Sequence, residues 1–169
     1  MIVSNVINQA GILRSILDKA SNHQGDRVAG QAAASFWLLA HQLSLRTEAE
    51  RLANIQTGFA ASWVRAVREA FKLGYPQLEG LLNASASTLE RRQRTEQALD
   101  AVASERLDRV AFIAIQALKV FDNPERAAQW MLTLNSALGD QVPLQLCETG
   151  LGARQVRRAL SALECGAGI

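Results

Sequence analysis

The most constraining feature of the sequence is an apolar stripe at helical spacing in the second half of the chain. It consists of Leu107, Val110, Ala111, Ala114, Leu118 and Phe121. Intervals of three and four residues place these side chains on one face of an α-helix, which has to be buried against other elements. Alternating runs rich in valine, isoleucine and threonine, which are typical of strands, are absent from the chain. The sequence therefore predicts an all-α protein.

Residues 1–58 are predicted to form an N-terminal helical extension. An apolar stripe lies within residues 12–17, and a second helix is expected over residues 36–43. Thr47 is a candidate N-cap for a short third helix, because a threonine hydroxyl can accept a hydrogen bond from an unpaired backbone N–H group. The small residues of segment 29–35 permit close approach of another helix. They suit either ordinary core packing or a dimerisation arm.

Residues 59–100 are predicted to form a helix-turn-helix domain. A helix over residues 63–71 is expected to stop at Gly74, and Pro76 fits the first turn of the next helix. After a turn at Asn83, Ser85 or Ser87 is expected to cap a third helix that carries a basic cluster. The cluster indicates either DNA contact or a solvated helix face. The candidate DNA-binding residues are Ser85, Ser87, Thr88, Arg91, Arg92 and Arg94.

Residues 101–169 are predicted to form a small C-terminal helical domain. Ser104 is expected to cap the helix that carries the central stripe. Asp122 is expected to cap the next helix, with Pro124 in its first turn. A last helix over residues 152–164 is expected to turn three arginines outward, and the glycine-rich tail follows it.

Charge and composition exclude several kinds of protein. Eighteen basic and sixteen acidic side chains leave a net charge of +2, so any DNA contact has to come from a local cluster. No apolar run approaches the roughly 18 residues of a membrane helix, and the start of the chain lacks the pattern of a signal peptide. Cys147 and Cys165 have no metal-ligand spacing. We therefore expect a cytoplasmic protein with reduced thiols and no membrane partner.

No catalytic motif is recognisable in the sequence. A nucleophile elbow, a P-loop, a Cys–His arrangement and paired carboxylates in a known frame are all missing. Trp37, Trp63 and Trp130 each lie in an apolar helical stripe, which favours core packing over a ligand box. We therefore expect a protein that is not an enzyme and that needs no cofactor.

The segment over residues 120–166 carries many residues at fixed spacings. They are Val120, Phe121, Asp122, Pro124, Glu125, Ala127, Trp130, Asn135, Ala137, Leu138, Gly139, Pro143, Leu144, Leu146, Thr149, Gly152, Ala153, Val156, Leu160 and Glu164. With these residues the segment closely resembles the toxin-binding domain of the Xre/MbcA/ParS antitoxin family. Residues 84–92 more weakly resemble the recognition-helix segment of that family, and residues 1–58 are not covered.

The chain departs from the family pattern at several positions. Ser136 stands where the family often has proline, and Asp140 replaces a second glycine. Asn83 stands where glycine is common, and asparagine tolerates the positive φ that such a turn needs. Glu90 and Glu96 dilute the basic face of the predicted recognition helix.

The resemblance implies an antitoxin encoded beside a RES-domain toxin. Such toxins resemble ADP-ribosyltransferases and consume NAD or transfer from it. The resemblance further implies a homodimer or a larger assembly with the toxin, a C-terminal end that covers the NAD cleft, and repression of the antitoxin's own promoter. The alternative is a stand-alone helix-turn-helix regulator without a toxin. The candidate toxin-binding residues are Arg154, Arg157, Arg158, Glu164, Gly166 and Ile169.

Overall fold

The computed structural model describes Gly11 and residues 27–166, and over the second of these ranges the protein is helical without any strand. The helices are α1 Arg27–Ser44, α2 Glu48–Thr57, α3 Ser62–Ala70, α4 Tyr75–Leu82, α5 Ala86–Arg94, α6 Ala101–Phe121, α7 Pro124–Leu132, α8 Pro143–Leu146 and α9 Gly150–Glu164. A 3-10 turn, Ser136–Leu138, lies between α7 and α8. The predicted all-α fold is confirmed. None of the described helices is long and apolar enough to cross a membrane.

Helix α6 lies at the centre of the fold. It is 21 residues long, and α1, α2, α4, α7 and α9 all pack against it. Its predicted apolar stripe is buried from Leu107 to Leu118, whereas Phe121 at its end is only partly covered. The periodicity therefore identified the helix around which the other elements are arranged.

An aromatic cluster joins α1 to α3. The Phe36 ring packs edge-to-face against Trp37, Trp63 and Phe71, with ring centroids 5.2–6.1 Å apart. Trp37 and Trp63 are buried, as predicted, and Trp130 is half-buried against Phe121. One hydrophobic core thus crosses both predicted region boundaries, at residues 58 and 100, and the division into three regions stays a prediction.

The N-terminal helices agree with the expectations where the structure describes them. Thr47 caps α2 in a capping box, because its hydroxyl accepts from the Glu50 N–H at 3.3 Å and its own N–H donates to the Glu50 carboxylate at 2.7 Å. Within segment 29–35 Ala34 is buried in the core, while most of the other residues are partly exposed. A dimerisation role of this segment stays a prediction. The apolar stripe within residues 12–17 lies outside the described residues.

Ser104 does not cap α6 as predicted. Asp100 is the N-cap, and its carboxylate accepts from the Ala103 N–H at 2.9 Å. Ser104 lies one turn further inside and is fully buried, where its hydroxyl accepts from the Phe59 N–H at 2.9 Å. The serine is used to satisfy a buried backbone donor of another part of the chain, which would otherwise destabilise the fold.

Two further cap predictions are wrong by one or two residues. Asp122 ends α6 in the left-handed conformation (φ 53°), and the neighbouring Asn123 caps α7 by accepting from the Arg126 N–H at 2.8 Å. Gly74 is the N-cap of α4, with φ −73°. Helix α3 has already ended at Ala70, and Lys72 takes a positive φ of 49° just beyond its end.

Candidate functional site

Helices α4 and α5 form a helix-turn-helix. The turn between them contains Asn83 in the left-handed conformation, φ 53° and ψ 42°, as its sequence suggested. Ser85 is the N-cap of α5, and its hydroxyl accepts from the Thr88 N–H at 3.3 Å. The Glu79 carboxylate of α4 accepts from the Ala86 N–H at 2.5 Å. This bond ties the start of α5 to α4 and holds the two helices at a defined angle.

One face of α5 is turned outward. Ser87, Glu90, Arg91 and Arg94 are exposed, while Leu89 is buried against the other helices. Spacings of three, four and seven residues place the four exposed side chains on the same side of the helix. Arg91 and Arg94 of the predicted basic cluster therefore lie together on this outward face.

Some of the remaining predicted DNA-binding residues already form hydrogen bonds or ion pairs within the protein. Ser85 is exposed, but its hydroxyl lies 2.9 Å from the Thr88 hydroxyl and 3.1 Å from the Ser87 hydroxyl. Arg92 is half-buried, and its guanidinium donates to the Ala98 carbonyl. It also forms an ion pair with Asp100 at 3.5 Å. Arg92 thus braces the connection between α5 and α6 instead of joining the outward face.

A polar cluster beside α5 was not predicted from the sequence. The Arg68 guanidinium lies 4.8 Å above the Tyr75 ring, and its nitrogen donates to the Tyr75 hydroxyl at 3.5 Å. A hydrogen bond with the Glu90 carboxylate raises the pKa of Tyr75 above its ordinary value. The three residues come from α3, α4 and α5, so no single helical pattern links them. An aromatic residue at the start of a predicted helix is the one sequence signal that could have drawn attention to Tyr75.

The C-terminal helices meet at very short range. Thr149 caps α9, accepting from the Gly152 N–H at 3.0 Å, so the helix begins two residues earlier than predicted. A Cβ atom on Gly152 would lie only 2.1 Å from the Leu146 carbonyl oxygen of α8. The two backbones are in contact at this point. Val156 and Leu160 are buried on the inner face of α9, as predicted, and Leu163 is only half-buried.

The outer face of α9 carries the predicted arginines. Arg154, Arg157 and Arg158 are all exposed, as are Glu164 and Gly166 near its end, and Ile169 lies outside the described residues. The Arg157 guanidinium lies 5.4 Å from the centre of the Phe112 ring of α6. Arg157 is therefore partly held by packing, whereas Arg154 and Arg158 occupy the exposed part of the face.

A second arginine lies over the same ring. The Arg51 guanidinium of α2 is 4.5 Å from the centre of the Phe112 ring and forms two hydrogen bonds with the Asp108 carboxylate, at 2.5 and 3.0 Å. The Asp108 side chain is only 8% exposed. This ion pair joins α2 to α6 beside the arginine face of α9.

Two arginines of α6 reach in different directions. The Arg106 guanidinium donates to the Gly80 and Leu81 carbonyls at the end of α4, at 2.8 and 3.4 Å. Arg109 donates to the Cys147 carbonyl at the end of α8, at 2.9 Å. A cation at a helix C-terminus satisfies unpaired carbonyls and opposes the helix dipole. Helix α6 therefore fixes the position of the helix-turn-helix relative to the C-terminal helices.

The thiols and potential metal ligands show no built site in the described part of the chain. No group of three or more histidine, cysteine or acidic side chains there is arranged so that it could hold a metal ion. Burial raises the pKa of the Cys147 thiol to about 12, so this thiol is protonated at neutral pH. Cys165 is exposed at the end of α9.

In a comparison with known proteins, both the helix-turn-helix part and the C-terminal helices match family models. The family model of the antitoxin Xre-like helix-turn-helix domain matches residues 50–111. The model of the antitoxin Xre/MbcA/ParS C-terminal toxin-binding domain matches residues 116–166. Together the two matches cover more than half of the chain. The chain belongs to the Xre/MbcA/ParS antitoxin family. A curated relative, antitoxin Xre of Pseudomonas putida KT2440, is 28% identical over 125 residues, which are 74% of this chain and 77% of the relative.

The family matches divide the antitoxin within α6. The helix-turn-helix match begins in α2 and includes the first half of α6, and the toxin-binding match takes the end of α6 together with α7, α8 and α9. All of α1 precedes both matches, although its aromatic side chains lie in the common core. Membership of this family and the helix-turn-helix point to a non-enzymatic regulatory protein.

Proposed function

We propose that this antitoxin neutralises a RES-domain toxin encoded beside it, as part of a type II toxin–antitoxin system in the cytoplasm. The outer face of α9 and the tail that follows it bind the toxin and cover its NAD cleft, so that NAD cannot enter. Inhibition is occlusion and involves no chemistry by the antitoxin. The observation that carries this proposal is the exposed arginine face of α9, on a helix whose opposite face is buried.

The chemistry of this face supports a protein partner. Arginine combines a planar, permanently charged group with several donors, and it is enriched in protein interfaces. Arg154 and Arg158 are four residues apart, so they can contact one acidic surface together. A specific interface of standard size buries about 800 Å² on each partner. Helix α9, Glu164 and Gly166 with the tail to Ile169 are proposed to form the centre of that area.

The experiment that tests the proposal uses the two proteins together. The antitoxin is co-expressed with the tagged product of the adjacent gene, and co-purification and NAD consumption are measured. A stable complex with suppressed NAD loss is the expected result. If no complex forms and the neighbour leaves NAD untouched, the chain is a stand-alone helix-turn-helix regulator, and the proposal is wrong.

Replacing Arg154 and Arg158 with glutamine is expected to weaken toxin binding by roughly 30-fold, because two interface arginines at about 1 kcal/mol each correspond to this factor. Affinity is measured by titration of purified toxin. The matched control replaces Arg65 of α3 and Arg126 of α7 with glutamine. Both arginines are exposed, so this double variant loses the same charge. Equal affinity of the two double variants would show that α9 does not bind the toxin.

We further propose that α5 binds operator DNA and represses the antitoxin's own promoter. In a homodimer, or in a larger complex with the toxin, two such helices enter successive major grooves about 34 Å apart, which requires a palindromic operator. The exposed positions of Arg91 and Arg94 support phosphate contact by this helix.

Replacing Arg91 and Arg94 with glutamine is expected to lower the slope of log affinity against log salt concentration by about 2, since each lost phosphate contact removes close to one released counterion. Fluorescence anisotropy over a salt series measures the slope. Arg92→Gln is the control, because Arg92 is bound to Ala98 and Asp100 and should leave the slope unchanged. An unaltered slope in the double variant contradicts the assignment.

A further inference from the structure

We propose that Glu90, which shares the outward face of α5 with Arg91 and Arg94, selects a cytosine in the operator. The inference rests on the DNA binding proposed above and adds a specificity residue to that surface. Glu90 is the acidic side chain among the exposed serine and arginines of that surface.

Glu90 lies in the middle of the outward face of α5. It is exposed, follows Ser87 by one helical turn, and precedes Arg94 by another. Any groove that receives Arg91 and Arg94 also receives this carboxylate. A carboxylate close to phosphates is repelled, so its presence there lowers affinity unless a base edge compensates for it.

The major groove offers one base edge that suits a carboxylate particularly well. An ionised carboxylate only accepts hydrogen bonds. Cytosine presents its N4 amine as a donor, whereas adenine presents its amine beside the N7 acceptor, which repels a carboxylate. Guanine presents two acceptors in the same groove. Cytosine is therefore the base that Glu90 would favour.

Residues of the neighbouring helices lie beside this part of α5. The Glu90 carboxylate raises the pKa of Tyr75 of α4 above its ordinary value. The Arg68 guanidinium of α3 lies over the Tyr75 ring at 4.8 Å and donates to the Tyr75 hydroxyl at 3.5 Å. Glu90 therefore leaves the outward face of α5 next to a tyrosine that is itself held by Arg68.

The test compares operator selection by the full-length wild-type chain and by the variant Glu90→Gln. Both select from duplexes with randomised half-sites, alone and with the co-expressed toxin. The preference of the wild type for cytosine at one position of each half-site is expected to fall about 10-fold in the variant, the effect of losing one base contact. Affinity for unrelated DNA is expected to rise, because a negative charge is removed. Glu96→Gln is the matched control. Glu96 is exposed just beyond the end of α5, and its substitution removes the same charge.

The outcomes separate this inference from the function on which it rests. If Glu90→Gln selects the same bases as the wild type, the inference is overturned and DNA binding stands. If the wild type binds no DNA, alone or with the toxin, DNA binding itself is overturned and the inference falls with it.

Discussion

Replacing Gly152 with alanine is expected to separate α9 from α8 and to lower the free energy of unfolding by about 3 kcal/mol, the upper range for overpacking in a closed site. The new Cβ would lie 2.1, 2.8 and 3.0 Å from the carbonyl oxygen, carbonyl carbon and Cα of Leu146. These are backbone atoms, which no side-chain rotation can move aside. One of the two helices has to shift, and the arginine face of α9 shifts with it. Toxin affinity is therefore expected to fall as well.

The control for this substitution lies in the same helix. A Cβ on Gly150 has no heavy atom within 4 Å, so Gly150→Ala should leave stability unchanged or raise it by up to about 1 kcal/mol, because alanine is the better helix former. Urea unfolding of both variants gives the comparison. Equal midpoints for Gly152→Ala and Gly150→Ala would mean that the close approach of α8 and α9 does not hold in solution.

Replacing Arg51 with methionine is expected to lower the free energy of unfolding by about 3 kcal/mol, the usual cost of leaving one member of a buried ion pair without its partner. The Asp108 carboxylate is 8% exposed and loses both of its hydrogen bonds to the guanidinium. The contact of Arg51 with the Phe112 ring is lost at the same time. Thermal and urea unfolding measure the loss.

A double-mutant cycle separates the buried charge from other effects. The variant with Arg51→Met and Asp108→Leu has no unpaired buried carboxylate, so it should be more stable than Arg51→Met alone. Arg65→Met, at an exposed position of α3, controls for the loss of one surface arginine. If the two substitutions are simply additive, the ion pair does not join α2 to α6 in the way described.

Much of the fold follows from short patterns in the sequence. The α6 stripe and the Thr47 cap each depend on residues within one or two turns, and both were predicted at the right place. Ser85 was one of the two residues predicted as candidates for the α5 cap. One prediction failed where two residues could cap the same helix. Asp100 and Ser104 can both cap a helix, and the choice depends on Phe59, which lies 45 residues away from Ser104 and supplies a buried N–H. Local patterns carry no information about such a partner.

In the candidate site, too, local patterns predicted some features, whereas features that depend on distant residues were not predicted. Helical periodicity was enough to predict that Arg154, Arg157 and Arg158 point outward from α9. It could not distinguish Arg92 from Arg91, because the bonds of Arg92 to the start of α6 arise only after the chain has folded back. The ion pair of Arg51 and Asp108 joins residues 57 positions apart, so it too depends on the tertiary arrangement.

The sharing of α6 between the two halves limits how such antitoxins can be recombined. Arg106 serves the helix-turn-helix and Arg109 serves the C-terminal helices, although they stand less than one turn apart on the same rod. A chimaera that takes α7 to α9 from a relative, in order to acquire another toxin, keeps a host α6 whose side chains fit the lost helices. Exchange of specificity between family members therefore has to transplant the matching face of α6, residue by residue, together with the helices that it supports.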